Sequence, residues 1–222
     1  MSAERPSDAV RARILAAAKA TPSKTHAEVA RTRVVLSLAA AAPPIVMLAV
    51  FGAGAKGRPL SLAVTVAFVW SLLAVTSTVL TLVSSSPLGP RTPRLAALAV
   101  GGPLAAFVLG TLGVVLWPDT WTAATSPHKD VVCIGLGLVM GAAPLSVLLT
   151  HFRGQDPVTP RVRGASFGVV AGAWAGAGMM LVCPNNTATH VLVGHALPVL
   201  LFAFIGALVG QSVLALRRRD PR

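Results

Sequence analysis

Charge is what this sequence has least of. Only 12% of its 222 residues are Asp, Glu, Lys or Arg, roughly half the share of a soluble domain. Six long apolar windows contain none of the four. That argues against a charged-substrate transporter or a proton pump, whose spans need ionisable groups despite their cost. Acidic residues number seven, and no two sit at the spacing of a paired-carboxylate active site. There is no Walker loop, no HExxH and no GxSxG. No serine–histidine pair lies at the depth an intramembrane protease needs. An enzyme is therefore not expected. Two cysteines cannot make a disulfide framework, so their location matters more than their number.

What the sequence has is apolar length. Hydrophobic residues make up 54% of it, and mean hydropathy is +0.73. A membrane span takes about 20 apolar residues. Windows of that kind run over Val34–Gly54, Leu60–Val83, Leu95–Trp117, Val131–Thr150, Ala165–Val182 and Val191–Leu214. The expected fold is all-α: a polytopic membrane protein, a bundle of six transmembrane helices with a short cytoplasmic N-terminal amphipathic helix. Residues 1–33 form an N-terminal arm, 34–216 the transmembrane domain and 217–222 a basic tail. The arm is mostly polar for about thirty residues, unlike a secretory signal, whose apolar core follows its basic start at once.

The net charge of +12 reads as topology. Seven basic residues precede the first span: Arg5, Arg11, Arg13, Lys19, Lys24, Arg31 and Arg33. On the same side fall Arg91 and Arg94, then Arg153, Arg161 and Arg163, then Arg217, Arg218, Arg219 and Arg222. Only Lys56, Arg58 and Lys129 fall opposite. The positive-inside rule places both termini in the cytoplasm, which in a bacterium makes this a multi-pass inner-membrane protein. Basic residues placed this way meet lipid headgroups, and direct nucleic-acid binding is not expected.

Membrane helices associate by close packing of small residues. The fifth window has Gly164, Gly168, Gly172 and Gly176 at four-residue intervals. That spacing predicts a groove on one face and a helix near the bundle centre, against the fourth and sixth spans. The same groove would also serve a homo-oligomer, and the sequence leaves both open.

The stretch "LVCPNNTATHVLVGHALP", residues 181–198, links the last two spans. The predicted topology puts Cys183, His190 and His195 at the outer rim, level with Cys133 at the start of the fourth span. Three readings stand. The cysteines form a redox pair, provided their Cα atoms come within about 7 Å. Cys133, Cys183, His190 and His195 ligate zinc, copper or haem iron. Or the cysteines are small apolar residues and the histidines cap a helix. Against ligation, residues five apart do not share a face of a regular helix. No cofactor is predicted outright, and metal or haem is confined to those four residues.

"SDAVRARILAAAKATP" reads as an amphipathic helix opening at Ser7 or Asp8 and ending near Pro22. Val10, Ile14 and Ala17 lie on one face with Leu15 and Ala18 adjoining, while Arg11 and Arg13 lie elsewhere around it. Thr25 and Glu28 have capping-box spacing. The arm either lies on anionic lipid or presents a helix to a cytoplasmic protein.

Six short spans, an arm of about thirty residues, Cys133 opening the fourth span, Pro144 within it, the fifth-span glycines, and Cys183-Pro184 with His190, His195 and Pro198 together resemble the NrsF-like family of bacterial membrane anti-sigma factors. The overall design is also similar to that of light-response anti-sigma factors. Gly194 is a departure, since the family pattern favours tryptophan there. The resemblance implies that the arm holds an ECF-type sigma factor at the membrane through Val10, Arg11, Arg13, Ile14, Leu15, Ala17 and Ala18. It implies release on an envelope, redox or light signal, with Cys133 and Cys183 as the sensing pair. Met179, Met180 and Trp174 are further oxidisable groups nearby. The alternatives are a small multipass transporter or channel component for a neutral solute, and a haem- or metal-binding membrane protein.

Overall fold

The computed structural model describes residues 12, 16, 25–52, 60–83, 85–86, 89–90, 92–116, 127–156, 158–183 and 185–215. The expected sigma-factor contacts Val10, Arg11, Arg13, Ile14, Leu15, Ala17 and Ala18 lie outside them, as does the basic tail. The chain divides into two compact units, Met1–Val35 and Leu36–Arg222.

Helix α1 spans His26–Ala40. Its start is the capping box expected from the sequence: the Thr25 amide donates to Glu28 Oε2 at 2.8 Å, and the Glu28 amide donates to Thr25 Oγ1 at 3.2 Å. Two otherwise orphaned N–H groups are thereby satisfied.

The larger unit continues with α2 (Ala42–Phe51), α3 (Leu60–Val83), the two-residue strands β1 (Ser85–Ser86) and β2 (Gly89–Pro90), and α4 (Thr92–Leu116). Then come α5 (Pro127–His151), α6 (Pro160–Val182), the single turn α7 (Ala188–His190), a π-helical segment (Val191–Ala196) and α8 (Leu197–Val213). The strands pair antiparallel, Ser85 opposite Pro90 and Ser86 opposite Gly89. Among the described residues, six helical stretches are long and apolar enough to cross a membrane.

The first of these differs from the expected single window. It breaks at Ala41 into α1 and α2, because Pro43 and Pro44 fall in the first turn of α2. Proline has no N–H to continue the ladder but suits a helix start.

Helix α6 is the centre of the unit, and most of its residues are buried. It packs against α2, α3, α4, α5 and α8. The glycines explain how closely. A Cβ on Gly164 would strike the carbonyl of Gly206, and one on Gly206 would strike that of Gly164. A Cβ on Gly168 would strike the Phe202 carbonyl, and one on Gly172 would lie 2.6 Å from Val199 Cα. These three glycines let α8 lie against α6 backbone to backbone, the approach that small residues permit in lipid. Gly176 departs from that face. Its missing Cβ would meet Trp70 of α3 at 2.5 Å. Four residues advance an α-helix by about 400°, so each interval drifts roughly 40°, and the fourth glycine has turned toward another neighbour. The groove is filled within the chain, by α8 and Trp70.

The connection from α5 to α6 is stitched to the end of α8. The Gly154 amide donates to the Val213 carbonyl and the Asp156 amide to that of Leu214, each at 3.0 Å. Gly154 has φ +67°, the left-handed region that glycine enters without penalty. Asp156 Oδ1 accepts the amides of Val158 (3.1 Å) and Thr159 (2.9 Å) just before α6 begins. Arg163, grouped with the solvated basic residues on sequence grounds, is instead buried inside α6. Its guanidinium lies 4.4 Å from the Phe152 ring centroid, and the charge acting on it is that of buried Asp156. The window began at Ala165 because the apolar run begins there, but the helix begins at Pro160.

Candidate functional site

Three elements bring four ligand-type side chains together. Cys133 lies in the second turn of α5, half-buried. Cys183 caps the C-terminus of α6, and its amide donates to the Met179 carbonyl at 2.8 Å. His190 closes α7, and His195 belongs to the π-helical segment. Cys183, His190 and His195 are all buried. One ligand atom from each of the four lies within 4.8 Å of all the others.

Cys183 Sγ lies 3.1 Å from His190 Nε2. The two sulfurs are 3.9 Å apart, well beyond the roughly 2.05 Å of a disulfide, so both are thiols. Cys133 is the strongest influence holding the Cys183 thiol well below its usual range; burial opposes this, and the imidazoles of His190 and His195 reinforce it. Around the sulfurs the packing is apolar and rich in methionine, with Met47 of α2 and Met179 of α6 buried beside Cys183 and Met140 of α5 adjoining.

Residues five apart do not share a face of a regular helix, and the helix here is not regular. The backbone over Val191–Ala196 is π-helical, with i→i+5 bonding. That wider turn brings His190 and His195 into register. Their rings stand edge to face at 5.0 Å between centroids, with an interplanar angle of 81°. Gly194 sits against the cluster: a Cβ there would be 3.5 Å from Cys133 Cβ and 3.6 Å from His190 Nε2.

The donor set fits a small thiophilic ion. Donors bound to a tetrahedral ion at 2.0–2.3 Å stand about 3.3–3.8 Å from one another, close to the 3.1 and 3.9 Å separations here. Both His195 ring nitrogens are buried and make no well-aligned hydrogen bond among the described residues, although the ring lies close enough to act on the Cys183 thiol; a buried polar group in that state is costly unless something else engages it.

Other polar side chains make contacts that the sequence did not specify. Asn185 Oδ1 accepts the Thr187 amide at 3.0 Å and shapes the turn after Cys183. Trp174 Nε1 donates to Thr78 Oγ1 at 3.0 Å, joining α6 to α3. Nothing in the sequence signalled the burial of Asp156 and Arg163.

No curated protein and no solved structure is similar to this chain. The family described as "NrsF: Negative regulator of sigma F" matches residues 16–215, which include α1, every membrane-length helix and all four cluster residues. With nine-tenths of its length covered, the chain belongs to this family of negative regulators of a sigma factor.

Proposed function

We propose that the protein is a membrane-bound anti-sigma factor of the bacterial inner membrane, with both termini cytoplasmic. Its arm, residues 1–33, holds an ECF-type sigma factor away from RNA polymerase. Cys133, Cys183, His190 and His195 form the input element that ends the sequestration. The family membership supports the regulatory role, and the distribution of Lys and Arg supports the orientation. The observation that carries the sensing role is the convergence of two thiols and two imidazoles within 4.8 Å in an otherwise apolar surround.

Two inputs suit that cluster. Oxidation of both thiols forms one S–S bond, releases two protons and passes two electrons to an oxidant such as a peroxide or quinone. Capture of a zinc- or copper-like ion draws all four donors inward. Either event pulls Cys133 toward Cys183, which is packed beside Met47 of α2. A shift at the rim thus presses on the helix that follows α1 in the chain.

The test is a two-hybrid assay of the full chain, and of a chain lacking residues 1–33, against the ECF-type sigma factors of the same genome. Binding by the full chain and loss with the arm removed is the expected result. No binding by the full chain removes the sequestration reading. Separately, Cys133→Ser should hold the sigma factor through oxidant or metal exposure that releases it from the wild type. An unchanged response in the variant removes the sensing role.

A further inference from the structure

We propose that the cleft between α3 and α4 is a binding site for one anionic glycerophospholipid. The cleft encloses about 360 Å3. Its walls are apolar, with Leu73 and Leu80 on α3 and Ala97 and Leu98 on α4. Three polar side chains join them, the exposed Thr76 and two that decide what the occupant must be.

Arg94 lies at the mouth, in the first turn of α4, and is exposed. Among the described residues, no acidic side chain lines the cleft. A cation at the end of an apolar cleft, level with a helix terminus, matches a headgroup phosphate. A headgroup of net negative charge is preferred there because it adds no competing cation.

Ser77 lies deeper and is fully buried, and its hydroxyl has no hydrogen-bond partner. Its neighbours on α3 show the normal solution. Ser71 donates to the Ala67 carbonyl at 2.8 Å, and Thr78 donates to that of Ala74 at 2.7 Å. Ser77 does not, and neither does Thr81, but only Ser77 lines the cleft; an unpaired hydroxyl in an apolar medium is costly. Ser77 lies six residues before the end of α3, and Arg94 two residues after the start of α4. At about 1.5 Å per residue the two differ in depth by roughly 6 Å. A glycerophospholipid has acceptors at two such levels: the phosphate, and the ester carbonyls a few bonds below it. The phosphate meets Arg94, an ester carbonyl accepts from Ser77, and the acyl chain runs on past Gly101.

Gly101 makes room for that chain. A Cβ there would meet nothing within 4 Å, whereas the adjacent Gly102 turns to α6, where a Cβ would be blocked by Val169. One glycine seats the helix and the next opens the cleft. The occupant would also brace α4 where it is tied to the central helix, since Ser166 Oγ donates to the Leu95 carbonyl at 3.1 Å.

Native mass spectrometry of the full chain in detergent, with equal phosphatidylglycerol and phosphatidylcholine, tests the site. The wild type should retain one phosphatidylglycerol in preference to phosphatidylcholine. Arg94→Gln should reduce that preference about fivefold, the effect of one basic residue at an anionic headgroup. Gly101→Leu projects a side chain into the cleft from a position where a Cβ meets no protein atom within 4 Å, and should abolish retention of either lipid. Equal retention of the two lipids by the wild type, or undiminished retention by Gly101→Leu, overturns the proposal and leaves only annular lipid. Should a variant fail to fold, a photoactivatable phosphatidylglycerol on the wild type decides. Labelling should map to residues 71–83 and 92–103, and labelling confined elsewhere overturns the site.

Discussion

His190 and His195 face each other edge to face at 5.0 Å because the backbone between them is wound as a π-helix. An α-helical turn would carry a residue five positions on to a different face. The wider turn places both imidazoles beside the thiols, so the cluster depends on an irregularity of the last membrane-length helix. Such bulges recur at functional sites in other helices.

Cys183 should ionise early. Its thiol is held down first by Cys133 and then by the two imidazoles, against the effect of burial. Thiolate ultraviolet absorbance should therefore persist at about pH 6, well below the ordinary thiol pKa near 8.5, and vanish in Cys183→Ser. Cys133→Ala should raise the titration most. Because the folded-state pKa is depressed, the linked stability is fully present above about pH 8.5 and drains away as pH falls toward the folded value. Titration of the wild type near pH 8.5 would refute this.

The two thiols should close on mild oxidation. With sulfurs 3.9 Å apart, closure needs about 2 Å of approach. Oxidant-treated protein should resist maleimide labelling at both cysteines until reduced, with no cross-linked dimer on a gel. A dimer, or labelling that persists after oxidation, would contradict the intramolecular pairing.

Helix α6 should not tolerate side chains on its α8 face. Gly172→Leu places a branched side chain where even Cβ would be 2.6 Å from Val199 Cα. The cost should be about 1–3 kcal/mol or more, seen as a lower melting temperature in detergent. Gly135→Leu, in open space on α5, is the control and should melt like the wild type. Equal melting of the two variants would be inconsistent with the packing described.

Asp156 and Arg163 should prove coupled. Both are buried, and Asp156 also holds the turn that starts α6. Asp156→Ala strands a buried cation and should cost roughly 3 kcal/mol. Adding Arg163→Met should recover part of that loss, because the stranded charge goes with it. Strictly additive losses in the double variant would show the two to be independent.

Composition and local spacing sufficed for the spans, the capping box at Thr25 and Glu28, and the small-residue character of α6. Each rests on an interaction within one helix or on the transfer of a run of side chains into lipid, and both are written in consecutive residues. The tertiary structure decided the rest. It turned Gly176 to Trp70 while its three predecessors met α8, because a four-residue repeat drifts around a helix and only the neighbours fix where each face lands. It buried Arg163, because Asp156 and Phe152 reach it from outside α6. It also wound residues 191–196 into a π-helix, which no periodicity announces, since the two hydrogen-bonding patterns use the same residues and packing around the cluster selects between them.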